Sequence, residues 1–457
     1  MLVERFVGLL EDGWGEVFAR SESHNRAIQH ALALPACLGK RTVSRAICAL
    51  GRSQGCDWSA DYKLYSRSPW DADDLFDPVI RTYLDSFPSG PIVAALDDTK
   101  LARTGRHVPG TMWYRDPLSP PFRANLMWAT RWLQASLIFP HHRESDLPAR
   151  GIPVRFIPAP AVRKPGSKAT DEDRAAYRLA VRQKNLSTQG HAMLAGLRER
   201  FDSLGASHRD IIAAGDGSFC NREFFRNPIE RVILLARTRK DARLCRPASP
   251  GSRCIYDPNR FTPEQVRADQ AVPYRTTRLY IGGAWREVGY KELSNLLWRR
   301  GAGTSPVRLL VLAPQPYKLS PHSRTFYRQP AYLLTNNLTL PAAILLQAYV
   351  DRWEIEVNHR DEKSFWGVGD AQVWSEQSAA RHPTFAVASY SMLLLAGLLE
   401  FGPGRTNDYD PLPAWRKRAK RPSALDLLTR LRLDIETSVS SPIFATISQK
   451  LIRAAYT

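Results

Sequence analysis

Apolar positions in residues 1–90 recur at helical spacing, over Leu2–Phe18 and again over Val43–Leu50, with Pro35, Gly39 and Gly51 as breaks. The pattern then changes. Pro91-Ile-Val-Ala-Ala-Leu96 is continuously apolar and stops at Asp97-Asp98-Thr99, as a strand buried on both faces does. A β-rich stretch follows over Asn125–Phe139, and residues 151–169 read as an acid-free connector rich in Pro and Lys. Thr170, followed by Asp171, Glu172 and Asp173, predicts an N-cap opening a helix towards Phe201. His208–Gly215 is a second buried-strand candidate, ending on Asp216, and Arg231–Ala236 is a third.

From residue 238 to 335, short Tyr/Val/Leu-rich runs alternate with Gly and Pro turns, notably Arg278–Glu287, Val307–Leu312 and Ala331–Thr335, which predicts a β-rich segment. Helical spacing returns at Leu340 and runs past Lys363. It recurs over Phe385–Leu399, before the turn Gly402-Pro403-Gly404. The tail carries a basic run at 416–421 and a last amphipathic helix. The fold class expected is α/β with helical N-terminal and C-terminal regions.

Charge adds the first functional clue. Lys and Arg number 64 against 45 Asp and Glu, a net +19, which favours a polyanionic partner such as nucleic acid. Lys40, Arg41 and Arg45 stud the Val43–Leu50 segment, which is either a helix laid against DNA or a solvated basic face. Residues 231–260 also lean basic. No run approaches the ~18 uninterrupted apolar residues of a membrane span, and the N-terminus carries acids where a leader carries bases, so a cytoplasmic protein without membrane partners is expected. The six cysteines form no C-x-x-C pair, which argues against structural zinc. His141-His142 reads as a solvated turn, and Leu38–Thr42 is not the end of a phosphate loop, since Leu34 stands where the first glycine should fall and Arg41 displaces the Ser/Thr.

The segment Tyr349 to Lys363 carries the chemistry. At about 100° per residue, Tyr349, Arg352, Glu356 and Lys363 point to roughly 0°, 300°, 340° and 320°, one stripe of a helix. Asp351, Glu354, Asp361 and Glu362 fall elsewhere, leaving Glu356 as the acid that shares the stripe. Asp97 and Asp216 each end a buried strand, where sites form. Three carboxylates so placed in a basic chain need counter-charge, which hard divalent cations supply; two such ions ~3.5–4 Å apart suit phosphodiester chemistry.

This set resembles the DDE transposases of bacterial insertion sequences, specifically the group with the motif Y-x(2)-R-x(3)-E-x(6)-K. Tyr349, Arg352, Glu356 and Lys363 match all four positions. Tyr332–Asn336, Arg352–Glu356, Trp366-Gly367, Leu96–Thr99 and Gly215–Phe219 are also similar to that group, over residues 40–400. The resemblance implies an RNase H-like core in two parts, 91–237 and 336–402, interrupted by a β-rich insertion at 238–335. A helical DNA-binding region (1–90) precedes it, and a basic linker with a C-terminal helix (403–457) follows. It also implies cut-and-paste transposition. Asp97, Asp216 and Glu356 would bind two Mg²⁺, with Mn²⁺ as substitute. Tyr349, Arg352 and Lys363 would contact DNA at the cleaved end. The partners implied are double-stranded DNA, both terminal inverted repeats and target, and a second subunit in a homodimer.

Asp98 competes with Asp97 for the first position, since only one of two adjacent strand residues faces the metals. His359, at about 280° beside the stripe, either adds a phosphate contact or fills space. Trp285 and Trp298 are candidates for holding a flipped base. The alternative function is a catalytically silent DNA-binding descendant acting as repressor or scaffold.

Overall fold

A computed structural model describes residues 1–438 except Cys56, Pro121, Pro321, Lys417 and Arg418, together with Ile447. Two residues of the basic run 416–421 and nearly all of the chain beyond 438 thus lie outside the described residues.

Five helices form residues 1–90: α1 (Leu2–Trp14), α2 (Ser21–Ala36), α3 (Val43–Ala49), α4 (Trp58–Ser66) and α5 (Asp77–Ser86). In α1, Leu2, Phe6, Leu10 and Trp14 recur every four residues and are buried as one stripe. The next elements are strands β1 (Ile92–Ala102), β2 (Met112–Arg115), β3 (Leu126–Phe139) and β4 (Arg150–Pro158), then helices α6 (Asp171–Gln183) and α7 (Leu186–Phe201). Strand β5 (Ile211–Gly215), helix α8 (Arg222–Arg226) and strand β6 (Val232–Arg237) follow. The segment up to residue 335 holds β7 (Leu244–Pro247), β8 (Tyr256–Phe261), helix α9 (Pro263–Ala268), β9 (Arg275–Ile281), β10 (Ala284–Leu297), β11 (Pro306–Leu312), the two-residue strands β12 (Pro316–Tyr317) and β13 (Phe326–Tyr327), and β14 (Ala331–Thr335). Helices α10 (Ala342–Asp351), α11 (Trp353–Ser364), α12 (Glu376–Phe401) and α13 (Ala424–Thr437) complete the described chain.

One mixed sheet of twelve strands organises the molecule. Its main path is β2-β3-β1-β5-β6-β14-β11-β10-β7-β8, with β4 also paired to β3 and β9 to β10. Strands β1, β5 and β6 run parallel, whereas β3 is antiparallel to β1 and β4 antiparallel to β3. Residues 92–96 are buried on both faces because helices cover both. Ile92, Ala94 and Leu96 face a core built with α1, α2, α5 and α12, while Val93 and Ala95 face Leu345, Leu346 and Ile355 of α10 and α11.

Several elements differ from the sequence expectation. The connector 151–169 begins as a strand, β4. Its Pro153 sits at an edge position opposite a register irregularity between Ala135 and Ser136, where no ladder N–H is needed. Thr170 does cap α6, with Asp173 closing a capping box, but the helix stops at Gln183 and Asn185 caps a second one, α7. The helix through Tyr349–Lys363 is two, α10 and α11, joined at Arg352. The 238–335 segment is β-rich but not set apart, because β14 pairs with β6 and carries the central sheet into it. Helix α12 starts nine residues earlier than Phe385, from an N-cap at Ser375. It is long and apolar enough to cross a bilayer by composition, yet 78% of its most apolar window is buried in this fold, with Trp14 packed 5.4 Å from Phe385.

Candidate active site

Asp97 and Asp216 lie next to each other where the parallel β1–β5 ladder ends. Asp216 follows the last residue of β5, but β1 runs on to Ala102 paired with β3, so Asp97 lies within its strand and not at the strand end expected from the sequence. Leu96 pairs with Gly215 across that ladder, so Asp97 and Asp216 stand at the same level on neighbouring strands. Gly215 permits the turn that follows: a Cβ there would lie 2.8 Å from Phe219 Cβ. Asp216 holds the turn by accepting the Ser218 N–H at 2.8 Å.

Glu356 arrives on α11. That helix approaches β4 so closely that a Cβ on Gly151 would come within 2.6 Å of Glu354 Cβ. Arg352, at the α10–α11 junction, then joins helix to strand. Its Nη2 lies 2.8 Å from Glu356 Oε1 and its Nη1 3.7 Å from Asp97 Oδ2. Lys363, two turns further along, donates to Thr99 Oγ1 at 2.5 Å. Arg352 and Lys363 therefore both reach the face of β1 that carries Asp97 and Thr99, with Glu356 held to Arg352 one turn along α11. Tyr349 lies half-buried on α10, packed against the apolar cluster on that face of the sheet.

Burial and the nearby Asp216 charge raise the Asp97 carboxyl to about 7, although Arg352 opposes them. Burial pulls the Lys363 ammonium below its usual range, with the neighbouring Lys100 adding to the effect. Burial takes His359 down to about 3, helped by Lys363 and Arg352, so its imidazole is neutral. His359 Nε2 has no hydrogen-bond partner among the described residues. Asp98, one residue on, points to the opposite face from Asp97, where Lys100 lies 3.8 Å away, and its backbone N–H donates to Asp97 Oδ1 at 2.8 Å.

The acids off the stripe have structural partners. Asp351 accepts from His142 Nε2 at 2.8 Å, Glu354 pairs with Arg421, Asp361 with Arg360, and Glu362 accepts from Gln134 at 2.9 Å. His141 and His142 are both buried, not a solvated turn, and His142 is held there by Asp351.

Of the basic residues expected to touch DNA near α3, Lys40 and Arg45 are exposed. Arg41 is not: it is 9% exposed, and its backbone N–H donates to Asp370 just beyond α11. Trp298 packs against Phe225 at 5.6 Å, remote from Glu356 in its contacts, whereas Trp285 stands partly exposed at the β9–β10 turn beside Tyr280 and His142. A solvent-open cavity of about 630 Å³ adjoins the Asp216 turn, lined by Gly217, Arg237, Arg239, Lys240, Arg267 and Tyr332 among others. Its arginines were legible only as a basic lean over 231–260. The contribution of Arg267 and Tyr332 depends on how the sheet brings α9 and β14 together.

Among the described residues, no group of three or more His, Cys, Asp or Glu side chains converges in ligating geometry. The Arg352 guanidinium lies between Asp97 and Glu356 and supplies the counter-charge there. The donor chemistry nevertheless suits a hard divalent cation, being carboxylate oxygen without thiol or imidazole. Among the described residues, Arg352 Nε and Nη1 are buried without a hydrogen-bond partner, so the guanidinium faces Asp97 through charge and not through a hydrogen bond. Comparison with protein-family models gives no match, and comparison with curated proteins gives none either.

Proposed function

We propose that this protein is a metal-dependent DNA transposase of the DDE type, which binds the terminal inverted repeats of an insertion sequence, cuts at the element's ends and joins them to target DNA. The observation that carries the reading is the single Arg352 guanidinium facing both Asp97 and Glu356, with Asp216 beside Asp97 on the neighbouring strand. The strand order β4-β3-β1-β5-β6, antiparallel on one side of β1 and parallel on the other, supports an RNase H-like core as its scaffold.

Asp97, Asp216 and Glu356 would hold two Mg²⁺ (or Mn²⁺). When bound, such ions activate an attacking oxygen and stabilise a leaving one. Arg352 and Lys363 supply cationic donors to phosphate oxygens on the same face. A raised Asp97 pKa, caused first by burial and then by the Asp216 charge, fits a carboxylate pair that a cation would neutralise. A homodimer is the proposed state on DNA, since two ends must be cut and joined together.

The test uses DNA carrying the sequences that flank this gene, with Mg²⁺ and either wild-type or Glu356→Gln protein, and resolves products to the nucleotide. Cuts at defined ends by wild type alone support the proposal. DNA binding without cuts by either protein would give the alternative, a silent DNA-binding descendant in which Arg352 permanently replaces the metals.

A further inference from the structure

The strand pair that carries Asp97 continues into a hairpin with an unusual surface. Trp113 on β2 is 63% exposed, and Phe122 at the tip is 90% exposed. Trp374, which follows α11 and its loop, is 72% exposed beside His107. Exposed rings of this size mark contact surfaces. Arg106, Arg115 and Arg123 stand exposed among them, and Asp116 is the sole acid in residues 101–131 against five arginines.

The hairpin is ordered by its own bonds. Asp116 N–H donates to Asn125 O, Asn125 N–H to Ser119 Oγ, and the Asp116 carboxylate accepts the Leu118 N–H at 2.9 Å. Trp128 Nε1 donates to Gly105 O, and Gln372 Oε1 accepts from Thr104 and Gly105, tying this end to the chain that follows α11.

Register fixes which way Trp113 and Trp128 face. Asp97 lies opposite Gln134, and Trp113 opposite Trp128, which is 134 − 128 = 6 residues away along β3. An even step keeps the same face, so Trp113 and Trp128 share the face of Asp97 and α11, roughly 20 Å from Asp97 at ~3.3 Å per residue. The two rings lie 5.5 Å apart at a tilt of 59°, leaving the outer face of Trp113 open.

We infer that this rim is a stacking platform for unpaired nucleobases of the DNA strand leading to or from the acid cluster. The inference rests on the proposed DNA-acting function and extends it. Leu118 and Leu126 are exposed on the same hairpin, but the rings set among guanidinium groups match a single strand, which offers π-faces to the rings and phosphates to the arginines. Duplex DNA hides its base faces, so the rim would discriminate in favour of melted or gapped DNA.

Fluorescence anisotropy in EDTA tests this with the full chain, using a labelled duplex and the same duplex carrying a run of unpaired thymidines. Wild type should bind the gapped DNA more tightly. Trp113→Ala and Phe122→Ala should each weaken gapped-DNA binding about five- to 100-fold and leave duplex binding within about twofold. Both side chains are exposed, so an unchanged melting temperature should accompany the loss. Equal affinity of wild type for the two DNAs, equal losses on both, or no loss on either would overturn the platform alone. A wild-type protein that binds neither DNA would overturn the DNA-acting function as well. Because no metal is present, absence of cleavage chemistry does not affect the outcome.

Discussion

Arg352 Nη1 lies 3.7 Å from Asp97 Oδ2 and makes no hydrogen bond there, a buried guanidinium nitrogen held against a half-buried carboxylate by charge alone. This contact lowers the Asp97 pKa against burial and the Asp216 charge. Replacing Arg352 with Ala should therefore move Asp97 titration above about 7. Carboxyl NMR through pH 5–9 (an interval of about two units either side) reads it. An unmoved titration would mean the pair does not exist in solution.

Asp97 itself should limit stability at alkaline pH. Its folded pKa of about 7 is raised above the ordinary 3.8, so the folded state holds the proton more tightly than the unfolded state. The associated stability is full below the unfolded value and is lost as pH rises through the folded one. Asp97→Asn should accordingly melt higher than wild type at pH above about 7, by on the order of a few kcal/mol, and show no such gain in acid below about 4. Thermal melts across that range check the crossover.

Proton and cation compete for the same oxygens. The Mg²⁺ concentration needed for half-maximal binding should fall as pH rises through about 7, and the trend should vanish in Asp97→Asn. Isothermal titration at fixed ionic strength measures it. A pH-independent affinity in wild type would place the metal elsewhere.

His359 offers a contrasting case. It is buried, neutral down to about 3 and lacks a partner at Nε2 among the described residues. His359→Phe should retain the fold and leave the pH profile of any activity unaltered between about 5 and 9, because no proton is exchanged there in that range. A displaced profile would show that the imidazole titrates in function.

Lys363 tests the phosphate role. Lys363→Ala should weaken binding to all DNA sequences alike and reduce the slope of log K against log salt by about 1. Sequence-selective weakening would point to base recognition instead.

The central strands were legible because Ile92–Leu96, Ile211–Gly215 and Val232–Ala236 are apolar without alternation, the mark of a strand covered on both faces. The Arg352–Glu356–Lys363 stripe was legible because helical spacing survives the small break at Arg352. Strand β4 was hidden by Pro153, whose edge position depends on which strand it pairs with. Long-range partners hid the rest. His142 is buried by Asp351, 209 residues away, and Arg41 is drawn inward by Asp370, 329 residues away. Local pattern carries no information about either contact.

The most direct test of the central claim, that Asp97, Asp216 and Glu356 form one metal site, is Mn²⁺ binding followed by electron paramagnetic resonance. Wild type is compared with Asp97→Asn, Asp216→Asn and Glu356→Gln, each confirmed as folded. The account predicts that each substitution alone removes tight binding, and that combining two adds little to the loss. Retention of wild-type Mn²⁺ affinity by either Asp216→Asn or Glu356→Gln would contradict it.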